Sequence, residues 1–279
     1  MNSAIESLLS QLAPELETLS LVIEIGGVPV RVNTSDSEFL RILGNRYAGF
    51  IRASERVEIE FDVEIVQPGS ADPDADVQVT QRAGRWRLTR GDFQAEWEPS
   101  SGRGWVRQSA NPYSIDSVLR IVHTLVLARR NGFLLHSASA IRNGKAFLFA
   151  GVSGAGKTTI SRLAPADVTL LTDEISYISR RGDGYIAFGT PFAGELAKVG
   201  ENVSAPIEAL YLLAQGPENR MEAVPSGEAV RSLLANILFF AEEEDFVRDA
   251  FHAAFDFVSR IPVLRLTFVP DSRVWELIG

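Results

Sequence analysis

The stretch GVSGAGKT, residues 151 to 158, restricts the folds open to this chain more than any other feature. It satisfies the pattern G-x-x-x-x-G-K-[ST], in which glycines let successive backbone N–H groups turn inward and hold an anion at the start of a helix. The apolar run AFLFA comes just before it, and KTTISRLA, which is typical of a helix, follows. A strand, a glycine-rich loop and a helix in this order predict an α/β fold organised around a phosphate-binding loop, or P-loop.

The same pattern predicts which groups bind a nucleotide. Lys157 is expected to reach the β- and γ-phosphates of ATP, and the hydroxyl of Thr158 is expected to bind Mg²⁺. The alternative is a glycine-rich turn that only caps the helix. The predicted cofactor-binding residues are Gly151, Ser153, Gly154, Ala155, Gly156, Lys157, Thr158 and Thr159.

An acidic pair, Asp173 and Glu174, follows the loop after only one short helix and one short strand. Pro165 ends the helix after about 12 Å at 1.5 Å per residue, and the strand VTLLT returns over about 16 Å at 3.3 Å per residue. Because the two lengths nearly cancel, the pair is expected to lie level with the P-loop. A carboxylate at that level can bind Mg²⁺ or accept a proton from a hydroxyl; the alternative is a pair that only ends a strand.

The stretch GVSGAGKTTI, followed closely by TDE, resembles the phosphoenolpyruvate carboxykinase and HPr kinase/phosphorylase superfamily, in which a similar loop is followed by DDE or DD. The resemblance covers residues 130 to 200 and, more loosely, the stretch to the C-terminus. It implies a P-loop domain with a mixed sheet, ATP and Mg²⁺ as cofactors, and Asp173 as general base beside the metal. His136 matches a histidine that lies close to the active site of the HPr kinases. On this resemblance the candidate catalytic residues are Asp173, Glu174 and His136, and the candidate metal ligands are Thr158, Asp173 and Glu174.

The chain also departs from these families. It is too short for a carboxykinase, and that enzyme's substrate-binding half and its manganese-binding Lys and His have no counterpart. Residues 1 to 110 do not resemble the N-terminal domain of bifunctional HPr kinase/phosphorylases, and the arginine-rich signature of phosphorylase activity is absent. The chain is closer to HPr-kinase-related proteins of uncertain substrate, some of which resemble kinases that modify a peptide in ribosomal peptide biosynthesis clusters.

Several candidate residues have two interpretations. His136 lies on a strand with small and apolar residues on the same face, so a core histidine and a neighbour that tunes Asp173 both fit the pattern. Glu195, in the loop GTPFAGE, is either a ligand over the nucleotide or acceptor, or part of a plain connecting loop. His123 and His252 lie within helical patterns and are predicted to be structural.

A change of pattern near residue 110 predicts two domains. Before it, runs of alternating apolar and charged residues such as VEIEFDVEIV predict strands with one exposed face, and SDSEFLRILGNRYAGF predicts a helix. After it, PYSIDSVLRIVHTLVLARR predicts a long helix, and Asn143-Gly144 predicts a two-residue hairpin turn. We therefore predict a smaller β-rich α+β domain at residues 1–110, suited to substrate or partner recognition, and a P-loop, HPr kinase-like catalytic domain at residues 111–279.

Composition limits the partners and the compartment. The formal net charge of −9, without a basic stripe, argues against a nucleic-acid partner, which needs clustered cations. No stretch approaches the roughly 18 apolar residues of a membrane span, and the N-terminus lacks a basic, then apolar, secretion signal. The absence of cysteine is consistent with a reducing cytoplasm, where we expect the chain to reside. The HPr kinases that it resembles form hexamers, so a homo-oligomer is allowed without being required.

The predicted function is an ATP- and Mg²⁺-dependent kinase that transfers the γ-phosphoryl group to a hydroxyl, with serine of a protein or peptide as the first choice of acceptor. Two alternatives remain at this point. A small-molecule hydroxyl kinase would use the same chemistry. A nucleotide-sensing module without transfer activity would close on a partner when ATP binds, but it could dispense with the acidic pair.

Overall fold

The computed structural model of the chain describes residues 18–68, 75–192, 194 and 200–279. Within these residues the fold is α/β, with two mixed β-sheets and five α-helices. The strands of the first sheet lie between residues 19 and 108, and those of the second lie between residues 133 and 268.

The first sheet is built from strands whose side chains alternate between a buried and a more exposed face. In β2, for example, Val28, Val30 and Val32 are buried and the residues between them are partly exposed, as the period of two requires. Its strands are β1 (Leu19–Ile25), β2 (Val28–Thr34), β3 (Ile59–Ile65), β4 (Gln78–Arg82), β5 (Arg85–Arg90), β6 (Phe93–Glu98) and β7 (Arg103–Gln108). Their order is β1-β2-β3-β7-β6-β5-β4. The strand β3 runs parallel to β2 and β7, and the other neighbours are antiparallel.

Of the described helices, one lies between β2 and β3 and another follows β7. The helix predicted from SDSEFLRILGNRYAGF is present as α1 (Ser37–Arg46), and it begins after Asp36, whose carboxylate caps it by accepting a hydrogen bond from the amide of Phe39. A short 3₁₀ turn, Ala48–Phe50, follows it. The second helix, α2 (Pro112–Ala128), begins after Asn111, whose side chain accepts from the amides of Tyr113 and Ser114.

The second sheet contains the remaining described strands, which are β8 (Phe133–Arg142), β9 (Lys145–Ala150), β10 (Thr169–Thr172), β11 (Ile175–Arg181), β12 (Gly184–Phe188), β13 (Ser204–Gln215), β14 (Arg220–Ala223) and β15 (Val263–Phe268). The order is β10-β8-β11-β12-β13-β15-β14, with β9 paired to both β8 and β13. The strand β13 is parallel to β9 and β15, whereas the other pairs are antiparallel. The predicted hairpin between β8 and β9 is confirmed, since Asn143 and Gly144 have φ values of 51° and 74°.

Three helices accompany the second sheet: α3 (Lys157–Arg162), α4 (Ser226–Leu234) and α5 (Glu244–Arg260). A 3₁₀ turn, Ser272–Leu277, lies after β15. The helices α2 and α5 are the longest, at 17 residues each. Among the helices that the structure describes, none combines the length and the apolar character needed to cross a membrane.

The helix α2 joins the two sheets. It contacts β6 and β7 of the first sheet and β8 of the second, and its apolar side chains belong to one buried cluster with residues of both. The cluster includes Phe61 and Val106 on one side and Leu134 and Tyr177 on the other. The predicted division into domains near residue 110 stays a prediction, because a shared cluster neither requires nor forbids two domains.

Candidate functional site

The glycine-rich loop, residues 151–156, connects β9 to α3. Gly154 and Gly156 have φ values of 79° and 112°, in the left-handed region that favours glycine. A Cβ atom on Gly156 would lie 2.6 Å from Cζ of the Phe268 ring, so β15 also leaves no room for a side chain at this position. Both the backbone conformation and the packing therefore require glycine where the sequence pattern demands it.

Lys157 is the first residue of α3 and is largely buried, with 8% of its surface exposed. Its Nζ donates a hydrogen bond to the carbonyl oxygen of Gly151 at 2.9 Å. The ammonium group thus lies folded back over the glycine-rich loop. A lysine in this position can exchange a backbone carbonyl for an anionic oxygen without moving its backbone.

The acidic pair occupies the step between β10 and β11. Both strands are partners of β8, and the chain moves from one to the other through Asp173 and Glu174. The hydroxyl of Thr172 accepts from the amides of Glu174 and Ile175, each at 3.2 Å, and fixes the turn. The amide of Ser137, on β8, donates to the Glu174 carbonyl at 3.1 Å. The position of both carboxylates is therefore set by the second sheet.

Gly194 lies directly against these carboxylates. Its amide donates to Oδ1 of Asp173 at 3.0 Å. A Cβ atom on Gly194 would lie 2.6 Å from Oε2 of Glu174 and 3.1 Å from Oδ2 of Asp173. Asp173 itself is only 2% exposed, so its carboxylate is oriented by a backbone N–H in a nearly dry environment. Glu195, the neighbouring candidate, lies outside the described residues.

His136 is on β8 directly opposite Ile175 of β11. Its Nδ1 lies 3.5 Å from Oε1 of Glu174, and about four tenths of its side chain is exposed. Burial and the ammonium of Lys157 lower the pKa of His136 below its usual 6.5, whereas the Glu174 carboxylate acts in the opposite direction. The neutral imidazole is therefore favoured near pH 7. Of the two interpretations of His136, the structure places it beside the acidic pair, half-exposed, rather than in the core.

These groups surround one cavity of about 500 Å³, which we call the loop cavity. The loop and α3 contribute Ser153, Gly154, Gly156, Lys157, Thr158 and Thr159 to its lining. The second sheet contributes His136, Asp173 and Glu174. Of the predicted site residues, Gly151 and Ala155 are not in this lining; Ala155 is buried beneath it, and Gly151 accepts the bond from Lys157.

Two residues of the loop cavity were missed by the sequence analysis as site residues: Arg120 and Gly194. Gly194 lies within the stretch GTPFAGE, where no sequence pattern marks it as a site residue. Arg120 lies in the middle of α2, four residues after Asp116, and looks from the sequence like half of an ordinary helical ion pair. No local signal distinguishes it, because it reaches the site through tertiary packing.

The oxygen-rich lining suits a hard cation better than a soft one. Thr158, Asp173 and Glu174 together offer a hydroxyl and two carboxylates in the lining of the loop cavity. Among the residues that the structure describes, no three His, Cys, Asp or Glu side chains are grouped as metal ligands. A Mg²⁺ ion that also uses phosphate oxygens and water needs only one or two carboxylates from the protein.

Comparisons with known proteins give one family match and a distant structural likeness. The family model described as "ScmC: SynChlorMet cassette protein ScmC" matches residues 107–279, which is more than half of the chain. No curated protein matches the sequence. The solved Hpr(Ser) kinase/phosphatase from Coxiella burnetii is similar with a TM-score of 0.26 and 10% sequence identity, over 48% of this chain and 84% of that one. At this TM-score the likeness carries no argument about activity.

Proposed function

We propose that this chain, which belongs to the SynChlorMet cassette protein ScmC family, is an ATP- and Mg²⁺-dependent kinase that transfers the γ-phosphoryl group to a hydroxyl of a protein or peptide, serine first of all. One observation carries the proposal: the loop cavity contains the glycine-rich loop, Lys157 and Thr158 together with the acidic pair. A loop that only capped a helix would need no carboxylates opposite it. We place the reaction in the cytoplasm, where ATP is available to a chain that has no cysteine to oxidise.

The glycine-rich loop is, on this proposal, a P-loop of the phosphoenolpyruvate carboxykinase and HPr kinase type. Its backbone N–H groups would bind the phosphates, as inward-turned amides do in anion nests. Lys157 would exchange the carbonyl of Gly151, its present acceptor, for oxygens of the β- and γ-phosphates. The charge developed on the γ-phosphoryl group during transfer would then be stabilised by fixed hydrogen-bond donors and cations that line the loop cavity.

Thr158, Asp173 and Glu174 are the residues that would hold Mg²⁺, since all three line the loop cavity and supply oxygen ligands. The ion, when bound, supplies a Lewis acid that neutralises charge on the phosphates. Asp173 would also accept the proton of the acceptor hydroxyl. Its carboxylate is held for this task by the Gly194 amide, and His136 beside Glu174 would orient the pair.

The substitution Asp173→Asn tests the assigned base. It keeps the size and the hydrogen bond from Gly194 but removes the proton acceptor, so we expect turnover of Mg·ATP to fall by about 100-fold or more. The affinity for ADP without Mg²⁺ should change less than about threefold, because the carboxylate contacts no part of ADP on this proposal. Phosphate release and fluorescence of a labelled ADP analogue measure the two quantities.

Asp167→Asn is the matched control, since Asp167 is an exposed aspartate paired with Arg142 away from the loop cavity. It should turn over ATP like the wild-type protein. An Asp173→Asn protein with wild-type turnover would show that the base is assigned wrongly. A wild-type protein that binds nucleotide but never turns it over would favour the sensing module, and one that binds no nucleotide with Mg²⁺ present would end the proposal.

A further inference from the structure

The guanidinium of Arg120 is a largely buried cation that no carboxylate of the described residues pairs with directly. The carboxylate four residues earlier, Asp116, is already engaged, since its Oδ2 accepts from Nη2 of Arg46 at 2.5 Å and its Oδ1 accepts from the Tyr47 hydroxyl. Within the part of the chain that the structure describes, Nε of Arg120 is buried and has no hydrogen-bond partner. The group is held instead over the ring of Phe192, with Cζ 4.9 Å from the ring centroid.

Burial lowers the pKa of Arg120, and the carboxylates of Asp116 and Glu174 act in the opposite direction. An arginine stays protonated under such conditions, so the side chain keeps its charge. A buried cation of this kind is unfavourable unless an anion binds it. Arg120 lines the loop cavity beside Glu174 and is therefore a position prepared for an anionic group.

Arg120 also lines a second cavity, of about 720 Å³, which we call the α2 cavity. Its walls come from α2, from the segment just before β4, from Arg90 at the end of β5 and from the segment that follows α4. That last segment is fixed to β8, because the Asn236 carbonyl accepts from the amide of His136 at 2.7 Å and the Leu238 amide donates to Leu134. Among the described residues, Arg120 is the one side chain that lines both the α2 cavity and the loop cavity.

We propose that the α2 cavity binds the phosphoryl acceptor, and that Arg120, which lines both cavities, binds the phosphoryl group during its transfer. This inference rests on the kinase function proposed above. In the step, the acceptor oxygen forms a bond to the γ-phosphorus as the bond from that phosphorus to the β,γ-bridging oxygen breaks. The acceptor proton passes to Asp173, and ADP leaves with the bond electrons.

The size and lining of the α2 cavity indicate a peptide as the acceptor. A volume of about 720 Å³ is far larger than a serine side chain and suits a ligand of several residues. Its lining combines apolar side chains with charged ones; the apolar residues include Val77, Ile121, Phe239, Phe240 and Ala241, and the charged residues besides Arg120 are Asp76, Arg90 and Glu242. We therefore infer a hydroxyl-bearing peptide segment that carries both apolar and charged flanking side chains. Val77 comes from the N-terminal part of the chain, which gives that part a role in acceptor recognition.

The substitutions Arg120→Gln and Arg120→Lys test the role of the shared side chain. We expect Arg120→Gln to lower kcat for Mg·ATP turnover by about 100-fold, in line with arginines that contact a transferring phosphoryl group. ADP affinity should change less than about threefold, because ADP lacks the group that Arg120 binds, and Arg120→Lys should recover part of kcat through its charge. Arg129→Gln, an exposed arginine at the end of α2, is the matched control. Unchanged kcat in Arg120→Gln, or an equal loss of ADP affinity, would overturn the role.

Because the chain contains no cysteine, a single introduced cysteine can be labelled selectively and used to block the α2 cavity. Ser117 lines this cavity on α2, so Ser117→Cys can be labelled with N-ethylmaleimide. We expect labelling to lower phosphoryl transfer to a serine-centred degenerate peptide library at least tenfold relative to the same variant before labelling. Ser259→Cys is the matched control. Ser259 is an exposed serine on α5, and its hydroxyl donates a hydrogen bond to a carbonyl of its own helix, as the hydroxyl of Ser117 does on α2.

The possible failures separate the two proposals. Peptide transfer that survives complete labelling of Ser117→Cys would overturn the α2 cavity as the acceptor site. A wild-type protein that turns over ATP but phosphorylates no library peptide would overturn the peptide class and leave the kinase function standing. A wild-type protein without nucleotide binding or turnover would instead refute the kinase function itself.

Discussion

At the residue scale, His123, which is predicted from the sequence to be structural, shows how burial changes the pKa of a titratable side chain. It is fully buried on α2, with its ring edge-on to Tyr177 at a centroid distance of 5.6 Å. Among the described residues neither ring nitrogen has a hydrogen-bond partner. Burial, with a smaller effect from the charge of Arg130, lowers the pKa of His123 to about 3. The imidazole is therefore neutral in the folded chain at any pH well above this value.

The expected consequence is an acid-labile fold. Below pH 6.5 the unfolded chain binds a proton at His123 that the folded chain does not, so the free energy of unfolding falls as the pH falls. His123→Leu removes this term. Between pH 7.5 and pH 5.5 we expect wild-type protein to lose about 1.4 kcal/mol more than His123→Leu. Urea unfolding at a series of pH values, followed by circular dichroism, measures the difference.

Val122→Ala is the control for this comparison. It removes buried methyl groups from the adjacent position of α2 but no titratable group, so its loss of stability should be the same at each pH. If wild-type protein and His123→Leu lost equal free energy on acidification, the buried imidazole would have to be protonated in the fold or exposed in solution.

How far the site can be predicted from sequence depends on how its residues come together. The residues from Gly151 to Thr159 are contiguous, so the sequence pattern is sufficient to place them together in one loop and the helix that follows it. The position of Asp173 and Glu174 level with the loop follows from two lengths, that of the helix leading away from the loop and that of the strand that returns. Arg120 could not be predicted, because its place in the site depends on how α2 packs against the second sheet and on Arg46 taking its helical partner.

At the scale of the element, α3 is too short to be stable by itself. It has six residues, and helices of this length are marginal in water without tertiary contacts. One such contact is made by Trp275, whose Nε1 donates to the carbonyl of Ile160 at 3.1 Å. The indole is 3% exposed and packs edge-on against Phe149. The end of α3 is therefore tied to the 3₁₀ turn that follows β15.

Trp275→Phe should lower the free energy of unfolding by more than the loss of side-chain volume alone explains. The phenyl ring keeps an aromatic contact with Phe149, but the buried carbonyl of Ile160 loses its donor, which costs about 1 to 3 kcal/mol. Trp97→Phe is the matched control: Trp97 is 4% exposed, and its Nε1 has no hydrogen-bond partner in the described part of the chain. We expect Trp275→Phe to reduce the free energy of unfolding by about 1 to 2 kcal/mol more than Trp97→Phe. Equal losses in urea titrations would contradict the importance of the hydrogen bond.

Elements whose signals are local were predictable, and pairings between distant segments were not. The Asn143-Gly144 turn and the Asp36 cap follow from backbone preferences of single residues. The parallel position of β13 between β9 and β15 does not. Its register depends on segments that are between about 50 and 60 residues away on the two sides, and such non-local pairings are determined by burial in the folded core.

At the scale of the whole molecule, the two sheets are connected by more than the chain. Tyr177 of β11 lies so close to the hairpin between β1 and β2 that a Cβ atom on Gly26 would fall 2.2 Å from its ring. Nδ2 of Asn202 donates to the carbonyl of Glu24 at 3.3 Å. Arg46, at the end of α1, forms a largely buried ion pair with Asp116 of α2. These contacts favour cooperative unfolding of both sheets, despite the boundary predicted near residue 110.

Asp116→Ala tests this cooperativity. The change leaves the guanidinium of Arg46 and the hydroxyl of Tyr47 without their carboxylate, and breaking a buried pair of this kind costs about 3 kcal/mol. If the molecule unfolds as one unit, the loss lowers the stability of β9 and β13 as much as that of β3 and β7. Pulsed hydrogen exchange with mass spectrometry along a urea titration reports both sheets in one sample. We expect one midpoint for all four strands in wild-type protein and an equal downward shift of all four in Asp116→Ala. Separate midpoints, or a shift confined to the first sheet, would instead establish that the chain consists of two independently folding domains.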